Sequence, residues 1–122
     1  MGKAKEALQR FQKGMGTLMG ENGRTVGKMG EFMSTALSEG GALSLREKEL
    51  VAVGAALVAR CEECIVVHVQ KALQAGCTRE EIIEAAGVAK IFGGGPVLAA
   101  SATLLLEVLD EFGGGDAVPA GA

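Results

Sequence analysis

The chain has 122 residues and a net charge of −3, so it can form one domain with one core, and it lacks the basic surface that a nucleic-acid partner requires. Hydrophobic residues make up 48% and aromatic residues only 3%, so the core must be built from aliphatic side chains and methionine, which suits closely packed helices. No signal sequence and no uninterrupted apolar stretch long enough to cross a membrane is recognisable. We therefore expect a cytoplasmic protein without a membrane partner, whose three cysteines are reactive or buried.

Apolar residues at three- and four-residue spacing predict a first helix over residues 3–19 and a second over about 25–38, with a turn at 21–23 between them. The methionines of these helices could form a ligand-binding or metal-binding box. We prefer core packing or a subunit interface, because methionine commonly fills gaps in apolar contacts.

Two capping boxes, at 44–47 and 78–81, predict two further helix starts. The first opens a helix over about 45–60 that is nearly all apolar after Glu49. A helix that is apolar on almost every side is buried on almost every side, so we expect it at the centre of the domain or of an oligomer. The second capping box opens a helix over about 79–92.

The intervening helix, 61–75, is expected to stop at Gly76 in a left-handed cap. The glycine run and proline at 93–96 predict a sharp break before the last helix. A phosphate-binding loop is the alternative there, but no strand precedes the glycines and no Lys-Ser/Thr follows them. The fold class is therefore all-α, a bundle of about six helices in one domain over 1–112, followed by a flexible Gly/Ala-rich tail over 113–122.

One motif carries the chemistry, namely Cys61, Cys64 and His68 in the pattern C-x-x-C-x-x-x-H. At helical spacing the three side chains share one face, where an imidazole helps a thiol to ionise and a second thiol can close a disulfide. A zinc site is an alternative, but structural zinc needs four ligands and only Cys77 remains to supply one. An inert structural pair is the third possibility.

Local sequence allows one helix from Leu45 to Ala75, because no Gly or Pro separates Ala59 from Cys61. Such a helix would be about 45 Å long, which is too long for a domain of this size. We therefore predict a turn near Arg60 and a central antiparallel helix hairpin. Glu49 would then lie opposite the histidine of the motif.

These residues resemble the alkylhydroperoxidase D and carboxymuconolactone decarboxylase family over roughly 44–95. The joint spacing carries the resemblance, and it comprises Glu49, Cys61, Cys64, His68, the stretch Gly76-Cys77-Thr78-x-Glu80-Glu81-Ile82 and the glycine break at 93–95. The resemblance implies an all-helical, alkylhydroperoxidase D-like bundle. It also implies a homo-oligomer, with a hexamer favoured over a trimer.

The resemblance further implies a role for each site residue. Cys64 would react with a peroxide, Cys61 would resolve the product into a disulfide, and His68 and Glu49 would form a proton relay. The partners would be a peroxide substrate and an external dithiol reductant, with no metal or organic cofactor. One position departs from the peroxidase pattern, because Glu63 replaces a histidine before the second cysteine. On a straight helix Glu63 would face away from the cysteines.

The preferred function is therefore that of an antioxidant enzyme, a thiol-dependent peroxidase or disulfide reductase of the peroxiredoxin type with a redox-active disulfide. One alternative is a decarboxylase-like lyase or isomerase that uses His68 and Glu49 as acid and base. Another is a non-catalytic, redox-sensing oligomer.

Overall fold

The computed structural model describes residues 2–113, which form helices and no β-strand within that range. This confirms the all-α fold class. The predicted tail, 113–122, lies outside the described residues except for Gly113, which is buried in the last helical turn. The helices are α1 (Lys3–Ala36), α2 (Leu45–Ala59), α3 (Glu62–Gln74) and α4 (Arg79–Ala100). Helix α4 continues without a loop through a π-helical turn (Ser101–Leu105), one α-turn (Leu106–Val108) and a second π-helical turn (Leu109–Gly113).

Helix α1 replaces the two helices predicted over residues 3–19 and 25–38. Only Asn22 has non-helical backbone angles, φ −142° and ψ 46°, so the expected turn is a kink instead. The glycines on either side do not end the helix, because an exposed glycine costs only about 1 kcal/mol relative to alanine. Only Ala4 and Leu8 of α1 are buried, so most of this long helix lies on the surface.

The predicted hairpin forms between α2 and α3. Arg60 takes the left-handed conformation, with φ 58° and ψ 37°, and its N–H donates to the carbonyl of Leu57. Cys61 then caps α3, which runs back antiparallel to α2. This turn brings Glu49, in the first half of α2, opposite the middle of α3.

The core is aliphatic, as the composition predicts. Its largest fully buried side chains come from α2, α3, α4 and the turns that follow α4, and they are Leu57, Ile65, Ile82, Leu105 and Leu109. The expectation that α2 is buried on almost every side is wrong for the single chain. Val51 is 64% exposed, because α3 and α4 cover only part of the α2 surface.

The apolar run that begins with α4 corrects another expectation. Among the described residues, Arg79–Gly113 is a helical run, kinked at Gly94, that is long and apolar enough to cross a membrane by length and composition alone. A core helix of a soluble protein meets the same criterion. Only 17% of the most apolar stretch of this run is buried, but the run packs against α2 and changes direction at Gly94, where φ is 60° and ψ is −137°.

Both predicted capping boxes are present. The Ser44 hydroxyl accepts from the N–H of Glu47, and the Thr78 hydroxyl accepts from the N–H of Glu81. The Glu81 carboxylate also accepts from Arg46 at 2.5 and 2.7 Å. Arg46 therefore ties the first turn of α2 to the first turn of α4, at the end of the bundle opposite the α2–α3 turn.

We expect Glu81→Gln to reduce the loss of stability in acid. The backbone N–H of Thr78, followed by the Arg46 guanidinium, holds the pKa of Glu81 below its ordinary value of 4.5. A carboxyl whose pKa is lower in the folded state stabilises the fold above the unfolded-state pKa, and this contribution disappears as the pH falls through the folded-state pKa. The loss therefore lies below pH 4.5.

The measurement compares Tm at about pH 7 and about pH 3 for the wild type, Glu81→Gln and the exposed neighbour variant Glu80→Gln. The Glu81 variant should show the smaller difference between the two pH values, and the Glu80 variant should behave like the wild type. Equal acid sensitivity in all three proteins would contradict the assignment.

Candidate functional site

A cavity of about 770 Å³ lies between α1 and the first half of α3. Its α3 wall is Cys61, Glu63, Cys64, Val67, His68 and Lys71, and its α1 wall is Arg10, Phe11, Gly14, Met15, Thr17, Leu18, Glu21 and Met33. All three residues of the C-x-x-C-x-x-x-H motif therefore face the same space. The apolar side chains of α1 form most of the opposite wall.

The sulfurs of Cys61 and Cys64 are joined as a disulfide, and their Cα atoms are 5.1 Å apart. Cys61 is the N-cap of α3, with extended backbone angles, and its Sγ accepts from the N–H of Cys64 at 3.2 Å. Cys64 lies within the first turn of the helix. The two sulfurs thus have different surroundings, since one caps the helix and the other belongs to it.

His68 and Glu49 form the second part of the site. The Nδ1 of His68 lies 2.9 Å from Oε1 of Glu49, across the hairpin. Glu49 is 3% exposed and is the only buried charged residue in the described part of the chain. A carboxylate can only accept, so Nδ1 carries the proton and donates to Glu49, which leaves Nε2 for exchange with another group. The hairpin therefore places Glu49 opposite His68, as the sequence predicted.

Glu49 also faces a second cavity, of about 560 Å³, between the distal half of α1, the start of α2 and the end of α3. His68 lines the first cavity and Glu49 the second. The hydrogen bond between them thus connects the space beside the disulfide with a neighbouring cavity, and Met33 and Lys71 border both. Such an arrangement can pass a proton between the two cavities through a pair of side chains.

Glu63 is placed differently from the prediction. It is half-buried and lines the same cavity as the two cysteines instead of facing away from them. The helical projection treated Cys61 as a helical residue, whereas it has extended backbone angles and precedes the helix. The cavity is also broad enough to expose neighbouring positions of α3. A carboxylate therefore borders the disulfide.

Cys77 lies away from the site. It follows the C-terminal end of α3, and the 13 residues of that helix separate it from the disulfide by about 20 Å. Its thiol is buried, donates to the carbonyl of Arg46 at 3.6 Å, and has its pKa raised by burial. Cys77 is the buried residue that was expected, and it cannot be the fourth ligand of a zinc site at the cysteine pair.

The sequence did not identify the α1 wall as part of the site. The sequence offers a ligand-binding box only at the methionines, Met15 and Met33 of this wall among them, and core packing or a subunit interface is the preferred interpretation there. The three- and four-residue spacing predicts one apolar helix face correctly. It does not indicate what that face contacts, because core packing and a cavity wall select the same side chains.

Comparison with known proteins gives a consistent result. The model of the carboxymuconolactone decarboxylase family matches residues 26–107, which include Glu49, both cysteines of the pair and His68. The chain is 42% identical over 82 residues to uncharacterized protein 4 in the cox locus of Paracoccus denitrificans, covering 67% of this chain and 73% of that protein. It is 31% identical over 90 residues to an uncharacterized protein of Cupriavidus necator, covering 66% and 80% respectively.

A solved structure has the same fold. The crystal structure of an apo carboxymuconolactone decarboxylase family protein from Legionella pneumophila superposes with a TM-score of 0.84 and 30% sequence identity. The match covers 90% of this chain and 96% of that one, so it extends beyond the central hairpin to nearly the whole bundle.

Proposed function

Because the chain belongs to the carboxymuconolactone decarboxylase family, we propose that it is a thiol-dependent peroxidase or disulfide reductase that works through Cys61 and Cys64. The observation that carries this proposal is the disulfide in a cavity that also contains His68, which is hydrogen-bonded to a buried Glu49. A reversible dithiol needs a pair of sulfurs within bonding distance and a group that exchanges protons with them.

The proposed cycle begins with the reduced pair. His68 takes the proton of the Cys64 thiol, and Glu49 stabilises the imidazolium that results. The Cys64 thiolate attacks the peroxide O–O bond, which breaks, so that the sulfur becomes a sulfenic acid and the leaving oxygen takes a proton and departs as an alcohol. Cys61 then condenses with the sulfenic acid, which releases water and forms the disulfide. An external dithiol reduces the pair and is itself oxidised to a disulfide.

The two cavities support a cycle in which the substrate and the carboxylate of the relay occupy different places. The α1 side of the first cavity is largely apolar and suits an organic substrate beside the sulfurs, whereas Glu49 faces the second cavity. The proton that His68 takes from Cys64 can therefore pass to the leaving oxygen in the first cavity, while Glu49 stabilises the imidazolium from its other side. We place this enzyme in the cytoplasm, where a dithiol reductant would be present.

One observation favours a second candidate, a lyase or isomerase like the decarboxylase in the family's name. The hydrogen bond between His68 and Glu49 does not involve either cysteine, so acid–base chemistry could proceed without them.

Cys61→Ser separates the two candidates. Serine is a good N-cap, so α3 should still begin at the same residue. Because the disulfide can no longer close, one equivalent of hydroperoxide should leave Cys64 of the reduced variant as a sulfenic acid, about sixteen mass units heavier, whereas the wild type should lose about two. The measurement is the intact mass without added reductant, since a small dithiol would also reduce the sulfenic acid directly. An unchanged mass in both proteins would contradict the redox mechanism and favour the lyase.

We further propose that the protein is a homo-oligomer, a hexamer rather than a trimer, with a second copy covering the open face of α2 and α4. Three large apolar residues on this face are well exposed: Val51 is 64%, Val88 57% and Phe92 78% exposed. They border a groove of about 640 Å³ without a charged lining residue, formed by Leu50, Val51, Gly54, Ala55, Val58, Ala85, Val88, Ala89 and Phe92. Such an apolar surface on a small soluble domain is typical of a subunit interface.

Phe92→Glu is expected to dissociate the oligomer, because it places a charge in an apolar contact. Light scattering at micromolar protein concentration measures the mass, and Gln9→Glu, at an exposed position of α1, is the control. A monomeric wild-type protein would contradict the proposal.

A further inference from the structure

The two sulfurs differ in what each would experience as a thiolate. The Sγ of Cys61 accepts from the N–H of Cys64 at 3.2 Å and lies at the N-terminal end of the 13-residue helix α3. Both the N–H donor and the positive end of the helix dipole stabilise a negative charge at that position. Cys64 has no such capping position. It is instead four residues before His68, on the same face of α3.

We propose that the external reductant attacks Cys64 and that Cys61 is the sulfur that leaves, an assignment that rests on the proposed redox function. In thiol–disulfide exchange the displaced sulfur departs as a thiolate, and the sulfur with the lower thiol pKa leaves faster. The capping position makes Cys61 the better leaving group. Cys64 is therefore the sulfur that meets both the peroxide and the reductant.

Reduction of the pair proceeds by two successive displacements at sulfur. A reductant thiolate forms a bond to the Sγ of Cys64, the bond between Cys64 and Cys61 breaks, and its electron pair goes to the Cys61 sulfur. The second thiol of the reductant then displaces Cys64 and closes a disulfide within the reductant. Cys64 leaves as a thiolate and takes a proton through His68. The reductant loses two electrons and the cysteine pair gains them.

Access does not select between the sulfurs, and His68 is the one side chain of this cavity that the proposed cycle assigns to a single sulfur, that of Cys64, whose proton it takes and returns. Both cysteines line the same cavity, so an incoming thiol can reach either one. The titratable and charged groups that face this cavity are of both signs, and they are Arg10 and Glu21 from α1 and Glu63, His68 and Lys71 from α3. The selective feature is therefore the backbone donor at the start of α3, which acts on Cys61 alone.

The same assignment makes the oxidative half of the cycle efficient. After Cys64 has become a sulfenic acid, it must be attacked by a second sulfur. A thiolate is the attacking form, and the helix cap favours that form of Cys61 over the thiol. Cys64 thus handles the external partners, and Cys61 acts only within the pair.

A kinetic trap tests the assignment. The oxidised protein is mixed with 2-mercaptoethanol, a neutral monothiol that cannot close a disulfide within itself, and the reaction is stopped with acid at low conversion. Free thiols are alkylated, and fragmentation of the peptide 61–71 locates the adduct. We expect the mercaptoethanol on Cys64 and the alkyl group on Cys61, in a ratio of at least about ten to one. An adduct mainly on Cys61, or an equal mixture, would overturn the assignment.

A second measurement uses monothiol variants. Thiolate absorbance is titrated in Cys64→Ser, which keeps Cys61, and in Cys61→Ser, which keeps Cys64. The buried Cys77 is common to both variants and contributes equally. Cys61 should ionise at the lower pH, and the reverse order would overturn the assignment. If the protein is reduced rapidly but the adduct is on Cys61, only this inference is refuted. If no thiol reduces the disulfide, the proposed function is refuted as well.

Discussion

Replacing Cys64 by serine is expected to leave no measurable peroxide turnover. A serine hydroxyl is far less nucleophilic than a thiolate, and it can form neither a sulfenic acid nor a disulfide. The change replaces one sulfur atom at a half-buried position. It keeps the backbone N–H that donates to the Sγ of Cys61, so the fold should persist. The measurement is hydroperoxide consumption with a synthetic dithiol, together with a thermal melt to verify folding.

Cys77→Ser is the matched control for this variant. It also exchanges sulfur for oxygen, and the new hydroxyl can still donate to the carbonyl of Arg46. Because Cys77 lies beyond the opposite end of α3, activity should remain at the wild-type level. Full activity in Cys64→Ser, or an equal loss in both variants, would contradict the assignment of Cys64.

Glu49→Gln has the second-largest expected effect, a fall of about 100-fold in the rate at which reduced protein reacts with peroxide. Glutamine has nearly the same shape as glutamate, and its amide oxygen can still accept from His68 Nδ1 at the observed 2.9 Å separation. It has no negative charge, however, so it stabilises an imidazolium much less. The variant therefore removes the electrostatic part of the relay and keeps the hydrogen bond.

The measurement is single-turnover oxidation of the reduced protein as a function of pH. Glu84→Gln, an exposed carboxylate of α4, is the control and should react like the wild type. A merely structural role for Glu49 would lower the Tm without changing the pH profile of the rate. An unchanged rate and pH profile in Glu49→Gln would remove Glu49 from the proposed relay.

The candidate site could be predicted in large part because its chemistry depends on local spacing. The three motif residues are separated by three and four positions, and helical geometry alone places them near one another. The position of Glu49 relative to His68 depends on whether the chain forms one long helix or a hairpin. Local sequence does not settle that choice, because no glycine, proline or asparagine marks the turn at Arg60. The left-handed conformation of Arg60 costs free energy that the packing of α2 on α3 offsets, and packing of this kind is not visible in a local sequence pattern.

Other parts of the fold show the limits of the same reasoning. The break at Gly94 was predictable, because glycine adopts its positive φ without strain and Pro96 follows. The continuity of α1 through the kink at Asn22 was not, since glycine content indicates a weak helix without stating whether it ends. For α2 the sequence left the centre of the domain and the centre of an oligomer as alternatives, because burial in a core and burial between subunits require the same residues.

The most direct test of the redox account is the intact mass of the reduced protein before and after one equivalent of an organic hydroperoxide, with peptide mapping. The account predicts a loss of about two mass units, located between Cys61 and Cys64, with Cys77 unchanged. An unchanged mass, with both thiols of the pair still present and unreactive, would contradict it and would favour acid–base chemistry at His68 and Glu49.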